Sequence, residues 1–367
     1  MPDKQSPVLI MAGGTGGHVY PALAVAKVLQ EQSVPVVWMG TRKGLEARVI
    51  PANDIAIEWL SITGLRGKGK LALAFAPFKL VLACLQALLI LRRVKPRCVL
   101  GMGGFVSGPG GLMASVLGIP LVVHEQNAVP GLTNRKLAAR ANVVLQAFPD
   151  AFAESVAAQY VGNPVRQDIL AINEPAQRIR MQGGLRLLVV GGSLGAQALN
   201  ELVPQALAKL DADKLNGGAV QVRHQAGRGK RDTAAQAYRN AAVEAQVDSF
   251  IEEMAAAYEW ADLVICRAGA MTIAELSAAG VASILVPYPH AVDDHQTANA
   301  LFLAKEKAAV MIPQRELEVD QLAGWLAEYI QNRDNLLAMA EAAREQGMPE
   351  STRLVVDVLL EQGAHND

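Results

Sequence analysis

Short apolar runs alternate along the chain with longer stretches of helical periodicity: VLIM, VVWMG, CVLGMG, LVVHE and VVLQA, then LLVVGG, AVQVRHQAG, LVICRAG and ILVPYP. Most of the runs are continuous rather than alternating, as in parallel strands buried on both faces, so the chain reads as βαβ units covered by helices. The pattern predicts an α/β fold of two Rossmann-like, doubly wound parallel-sheet domains. A repeat supports the division: VLIMAGGTGGHVYPALAVAKVL from Val8 and RLLVVGGSLGAQALNELVPQAL from Arg186 carry the same strand, glycine turn and helix. GNPVR at Gly162–Arg166 is the expected hinge, because glycine and proline close one sheet before the next begins. The domains so drawn are residues 1–164 and 165–346.

In each copy of the repeat the strand ends in clustered glycines and opens a helix, so backbone N–H groups and the positive end of the helix dipole face one point and can hold an anion. Two such turns on facing domains predict a cleft for a nucleotide-linked ligand. GGTGGH at Gly13–His18 departs from the dinucleotide fingerprint at Val19, and VVWMG ends in Gly40-Thr41-Arg42 without the acidic residue an NAD ribose needs, which disfavours a nicotinamide enzyme. His18 opens the first helix, where an imidazole can take a proton from an attacking hydroxyl; the plain alternative is a histidine that only caps the helix. GGSLG at Gly191–Gly195 fits the nucleophile elbow G-x-S-x-G, which keeps a serine hydrolase using Ser193, with His290 or His295 as base, as a rival. Thr15 at the equivalent place of the first turn argues instead for a shared phosphate-binding role.

MGGFVSGPGG at Met102–Gly111 is a third glycine-rich loop after a strand, either a second anion seat or a tight βα turn. HEQN at His124–Asn127 leaves a strand at the sheet edge where open α/β folds place ligand-binding residues. In CRAGAMTIAE at Cys266–Glu275 the carboxylate of Glu275 falls in the second turn of a helix, able to accept both hydroxyls of a ribose or simply to match the dipole. His290, Asp293, Asp294 and His295 occupy a loop without fixed helical spacing, which favours bonding to sugar hydroxyls over metal. Asp211-Ala212-Asp213 sits at a polar helix end far from any strand. No metal, no cofactor and no nucleic-acid partner are expected.

The net charge of −1 hides an asymmetry: residues 1–164 hold 16 Lys and Arg against 8 Asp and Glu, and residues 165–367 hold 18 against 27. A basic first half implies an anionic partner there. Its span from Leu71 to Leu91 is nearly all apolar and raises a transmembrane helix, but Pro77 interrupts it and strands of one sheet flank it, so a crossover helix is the expectation. LRGKGKLALAFAPFK, with Lys68, Lys70 and Lys79 beside Leu73, Phe75 and Phe78, is the pattern of shallow insertion into an anionic leaflet. Cys84, Cys98 and Cys266 lie in apolar runs without CxxC spacing, which argues for buried thiols in a reducing compartment. The start MPDKQSPVLIM has no signal-peptide pattern, so an unprocessed, cytosolic chain is expected.

Paired Rossmann-like domains, an anion turn in each and a ribose-type carboxylate describe a two-domain nucleotide-sugar transferase. GGTGGHVYPALAVA, MGGFVSGPGG, HEQNAVPGLTN, GNPVR, GGSLGAQ, FIEEM, CRAGAMTIAEL and DDHQTANA together resemble, nearly end to end, the MurG family of bacterial UDP-N-acetylglucosamine transferases of peptidoglycan synthesis. The resemblance implies a GT-B fold and inverting, metal-independent transfer of N-acetylglucosamine to the C4 hydroxyl of undecaprenyl-diphospho-N-acetylmuramyl-pentapeptide. It implies His18 as base, and the acceptor diphosphate on Gly14, Thr15, Gly16 and Gly17 or on Gly103 and Gly104, with Thr15, Gly16 and Gly17 also bordering the donor. On the donor it implies Phe250 and the Ile251 backbone at uracil, Glu275 on ribose, Ser193 and Arg166 on the diphosphate, and Asn127, His295 and Gln296 on the sugar. Ala270, Met271 and Thr272, continued by Ile273 and Ala274, would flank the leaving group. His295 stands where some members carry glutamine. The resemblance further implies a peripheral place on the cytoplasmic face of the inner membrane, contact with anionic lipid and other cell-wall synthesis proteins, and a final helix returning to the first domain. A UDP-sugar epimerase shares the architecture and is the alternative, although it has no need of a lipid acceptor.

Overall fold

The computed structural model describes residues 6–62, 76–192, 194–210 and 220–364. Ser193, Lys68, Lys70, Leu73, Phe75 and the Asp211–Asp213 triplet therefore lie outside the described residues. The chain forms two compact units, one reaching Arg166 and resumed from Glu350, the other running from Gln167 to Pro349.

The first unit contains β1 (Val8–Met11), β2 (Val36–Gly40), β3 (Ala56–Trp59), β4 (Cys98–Gly101), β5 (Leu121–Glu125), β6 (Val143–Gln146) and β7 (Gln159–Tyr160), all parallel, in the order β3-β2-β1-β4-β5-β6-β7. Val8 and Ile10 of β1 enter the core shared with helices Gly16–Glu31 and Ser351–Ala364, while Leu9 and Met11 enter the core shared with helices Ala76–Val94 and Ser107–Val116. Both faces of the strand are dry, which is why its sequence does not alternate. Helix Ala76–Val94 buries Ala83, Ala87, Ile90 and Leu91, the last three in this second core. Among the described residues no helix is long and apolar enough to cross a membrane.

The second unit repeats the plan with β8 (Arg186–Val190), β9 (Gln221–Gln225), β10 (Gln246–Asp248), β11 (Leu263–Cys266), β12 (Ala282–Leu285) and β13 (Val310–Met311), ordered β10-β9-β8-β11-β12-β13 and again parallel. The strand order reverses between β1 and β4 and between β8 and β11, the crevice where such sheets take ligands at their carboxyl ends. The two copies of the repeat differ at the helix start. The first helix begins at Gly16 directly after the turn, whereas the second begins at Gln197, because Gly195 leaves helical space at φ 72°. Burial pushes the Cys98 and Cys266 thiols up to about 12, so both are inert core groups.

Candidate active site

At the carboxyl edge of the first sheet two glycine loops interlock. Met102 N–H donates to the Met11 carbonyl at 2.9 Å, and the Ser107 hydroxyl reaches the Met11 and Gly103 carbonyls at 3.0 and 2.7 Å. Gly104 sits at φ 80°, and a Cβ there would stand 2.4 Å from the Gly13 carbonyl, so only glycine lets the loops approach. Within the first turn, the Thr15 carbonyl takes the N–H groups of His18 and Val19. The Gly16 and Gly17 N–H groups make no bond among the described residues and stand at the positive end of a 16-residue helix. They can receive an anion. Gly14, expected beside them, is committed elsewhere, since its N–H donates to the buried Glu46 carboxylate at 3.0 Å.

His18 is half-buried, with Nδ1 2.8 Å from Gln126 Oε1. Gln126 Nε2 lies 3.0 Å from His124 Nδ1 and 2.9 Å from the His124 carbonyl, and His124 Nε2 lies 2.9 Å from the Gly162 carbonyl. Burial lowers the His124 imidazole to about 4, so it is neutral. The expectation that HEQN supplies exposed ligand groups holds least for His124, Glu125 and Gln126, all buried. They are the support. Glu125 accepts the Asn127 backbone and side-chain N–H groups at 2.9 and 3.2 Å, the Gly131 N–H at 3.0 Å and the Asn134 amide at 2.9 Å. Those bonds hold Asn127 at the sheet edge. The sequence flagged Gln126 only as part of a ligand-binding edge and gave no sign of Glu46; the partners that fix their roles are 108 and 32 positions away.

In the second unit, helix Ala270–Ala279 starts after Gly269 without a side-chain cap. The Ala270, Met271 and Thr272 N–H groups make no bond among the described residues, and Ile273 N–H closes the first helical turn on the Gly269 carbonyl at 2.9 Å. Ile273 is thus a core residue, its side chain buried, rather than a ligand contact. Glu275, one turn further on, accepts from the Tyr258 hydroxyl at 3.2 Å and is half-buried. Phe250 is 47% exposed, and the adjoining Ile251 N–H donates to Gln225 Oε1 at 2.9 Å. Gln296 Oε1 accepts the Tyr288 N–H at 2.9 Å, while the Arg267 guanidinium holds the Val286 and Pro287 carbonyls and lies 5.6 Å over the Tyr288 ring. His295, expected in a loop, instead opens helix His295–Ala304 together with Gln296, and these contacts tie the loop before that helix to it. Among the described residues no three His, Cys, Asp or Glu side chains converge as a metal site. Arg166 closes the first unit, half-buried.

Two parallel sheets whose first six strands follow the same order, each with uncommitted helix amides at its switch point, have the architecture of the GT-B class of glycosyltransferases. The glycosyltransferase family 28 N-terminal domain matches residues 8–146 and the family 28 C-terminal domain matches residues 186–355. The UDP-N-acetylglucosamine--N-acetylmuramyl-(pentapeptide) pyrophosphoryl-undecaprenol N-acetylglucosamine transferase of Methylococcus capsulatus is 54% identical over 356 residues, 97% of this chain and 98% of that one. The protein of the same name from Marinobacter nauticus is 51% identical over 355 residues, 96% of each chain. The crystal structure of Acinetobacter baumannii MurG is 42% identical, with a TM-score of 0.83 over 97% of this chain and 99% of that one. The chain belongs to this MurG family of N-acetylglucosamine transferases. The UDP-GlcNAc 2-epimerase from Neisseria meningitidis, 13% identical with a TM-score of 0.67, shares the fold alone.

Proposed function

We propose that this chain transfers N-acetylglucosamine from UDP-N-acetylglucosamine to the C4 hydroxyl of undecaprenyl-diphospho-N-acetylmuramyl-pentapeptide, with inversion. Identity of about half to family members over nearly the whole of both chains carries the reading. In the reaction the C4 oxygen bonds to the sugar C1 as the bond from C1 to the β-phosphate oxygen breaks. The hydroxyl proton passes to His18 Nε2, and UDP departs with the added negative charge. Ala270, Met271 and Thr272 N–H groups and Arg166, with Ser193, meet that charge in place of a metal, as preorganised donors do for other developing anions. Phe250 covers the uracil, Ile251 addresses it through the backbone, and Glu275 takes the ribose hydroxyls. Asn127, His295 and Gln296 hold the sugar. Gly16 and Gly17, with Thr15, Gly103 and Gly104, cradle the acceptor diphosphate.

The acceptor is lipid-borne, and the first unit offers a surface suited to a membrane. Helix Ala76–Val94 is apolar on its outer side too: Phe78, Leu82, Leu85 and Leu89 form an exposed stripe opposite the buried one, with Lys79, Arg92 and Arg93 beside it. We place this stripe in the anionic leaflet on the cytoplasmic face, with other cell-wall synthesis proteins as further partners. The deciding assay is transfer of label from UDP-N-acetylglucosamine to a short-chain lipid-linked acceptor. The wild type transfers, and His18→Ala loses about 10²-fold or more in kcat; full activity of that variant removes His18 as base.

A further inference from the structure

The hydrogen bonds behind His18 determine which of its nitrogens carries the proton. The His124 carbonyl can only accept, so the Gln126 amide nitrogen must face it at 2.9 Å and the amide oxygen must face His18 Nδ1 at 2.8 Å. The Gly162 carbonyl can likewise only accept, so His124 carries its proton on Nε2, 2.9 Å away. The other nitrogen of that neutral ring is bare and accepts the second Gln126 amide hydrogen at 3.0 Å. Both hydrogens of the amide are then used, and its oxygen has one role left.

We propose that Gln126, oriented by His124 and the Gly162 carbonyl, is a positioning residue that holds His18 with its proton on Nδ1 and leaves Nε2 bare toward the acceptor. The chain of donors runs one way, from His18 Nδ1–H to Gln126 Oε1, from Gln126 Nε2–H to His124 Nδ1, and from His124 Nε2–H to the Gly162 carbonyl. When Nε2 takes a proton the Nδ1–H bond to Gln126 persists, so charge is gained without rearrangement. Asn163 adds a brace by donating from Nδ2 to the Gln126 carbonyl at 2.9 Å. Gly162 and Asn163, at the end of the first unit, are thereby tied to the geometry of the base. A free imidazole favours the opposite tautomer, with its proton on Nε2, which would present a donor where an acceptor is required. The inference deepens the reading of His18 as base and rests on it for its catalytic consequence.

The test uses full-length protein labelled with ¹⁵N-histidine, with ring nitrogens followed by long-range proton–nitrogen correlation near pH 8, where unperturbed imidazoles are neutral. The expected His18 signature is a protonated Nδ1 and a bare Nε2. In Gln126→Leu it shifts toward the Nε2–H form, and kcat falls about 10²-fold while the donor KM stays within about twofold. Gln126→Glu keeps an acceptor oxygen on Nδ1 whichever way it is protonated and retains both the signature and most of kcat. A wild-type His18 with its proton on Nε2 overturns the proposal whether or not any variant folds. So does a Gln126→Leu protein that keeps the wild-type signature. An active His18→Ala protein with the expected tautomer in the wild type would instead sink the base reading and leave the positioning role of Gln126 standing.

Discussion

The Glu46 carboxylate ties the Gly14 turn to the end of β2: one oxygen accepts the Gly14 N–H at 3.0 Å, and the other accepts the Thr41 N–H and hydroxyl at 2.9 and 2.8 Å. A negative group therefore sits directly behind the turn that opens the His18 helix. Anion binding is left to the amides on the far side of Thr15. In Glu46→Gln an amide NH₂ faces one or more of these donors, and a partly buried N–H loses its acceptor, at a cost of about 1–3 kcal/mol. Denaturant unfolding should show that loss, with kcat reduced because the turn carrying His18 is no longer fixed. Wild-type stability and rate in this variant would show that the contact is incidental.

Glu275 has its Tyr258 partner at 3.2 Å, and both belong to the donor side of the proposed reaction. Glu275→Ala should raise the UDP-N-acetylglucosamine KM by about tenfold, as for loss of a hydrogen bond to a charged group, with a smaller change in kcat. Tyr258→Phe keeps the carboxylate and should shift KM only slightly. Steady-state kinetics on the two variants separate ribose binding from a purely structural role, which would move stability and leave KM alone.

The second glycine turn is fixed by an unusually close approach. A Cβ on Gly195 would lie 2.0 Å from the Ala226 carbonyl, and the residue holds φ at 72°. Gly195→Ala must push the turn away from Ala226, so calorimetry should show donor affinity lowered by at least about tenfold, the scale of 1.4 kcal/mol. Unchanged binding would mean that the turn does not take part in holding UDP.

The exposed stripe on helix Ala76–Val94 gives the membrane reading a direct test, with Phe78 71% and Leu89 67% exposed. Changing both to Asp removes two apolar anchors without touching the core. Co-sedimentation with vesicles containing anionic lipid should weaken by at least about tenfold, since one fully buried large side chain is worth about 1.5–3 kcal/mol. Added salt should weaken the wild type as well, through screening of Lys79, Arg92 and Arg93. Sedimentation indifferent to both changes would remove the stripe from the interface.

Much of the architecture was legible because a parallel strand must bury both faces: Val8, Leu9, Ile10 and Met11 have no polar neighbour to alternate with. The glycine turns were legible for a related reason, since positive φ and close backbone approach leave few other residues at Gly104 or Gly195. What tertiary placement alone decides was not. Gln126 reads as a surface amide at a sheet edge until His124 folds in beneath it, and Ile273 reads as one more residue of a ligand turn until its helix shows it facing inward. The amphipathic pattern of Ser351–Ala364 announces a helix, but nothing in it specifies that Val355, Val356 and Leu359 join the core that Val8 and Ile10 enter.

Two buried imidazoles make the fold sensitive to acid. His124 in the first unit and His224 in the second are each lowered to about 4 by burial. His224 is wired much as His124 is: the Tyr238 hydroxyl donates to Nδ1 at 2.8 Å, and Nε2 donates to Asn200 Oδ1 at 3.0 Å, while Asn200 Nδ2 reaches the Ala226 carbonyl at 3.1 Å. The His124 ring cannot gain a proton without losing the bond its bare Nδ1 accepts from the Gln126 amide, and a proton on His224 Nδ1 would force the Tyr238 hydroxyl to turn and accept instead. In the unfolded chain both titrate near 6.5, so between about 6.5 and 4 the unfolded state binds more protons than the folded one, and stability falls as pH falls through that window. Above it the contribution is complete. Each histidine accounts for up to about 3 kcal/mol at the acid end, at 1.36 kcal/mol per pKa unit. Tm measured by calorimetry should hold near pH 7.5 and drop steadily toward pH 5. His224→Gln should be less stable at neutral pH yet lose less on acidification, because one of the two titrating rings is gone. A Tm that stays flat from pH 7 to 5 would mean that burial does not hold these rings neutral in the folded protein.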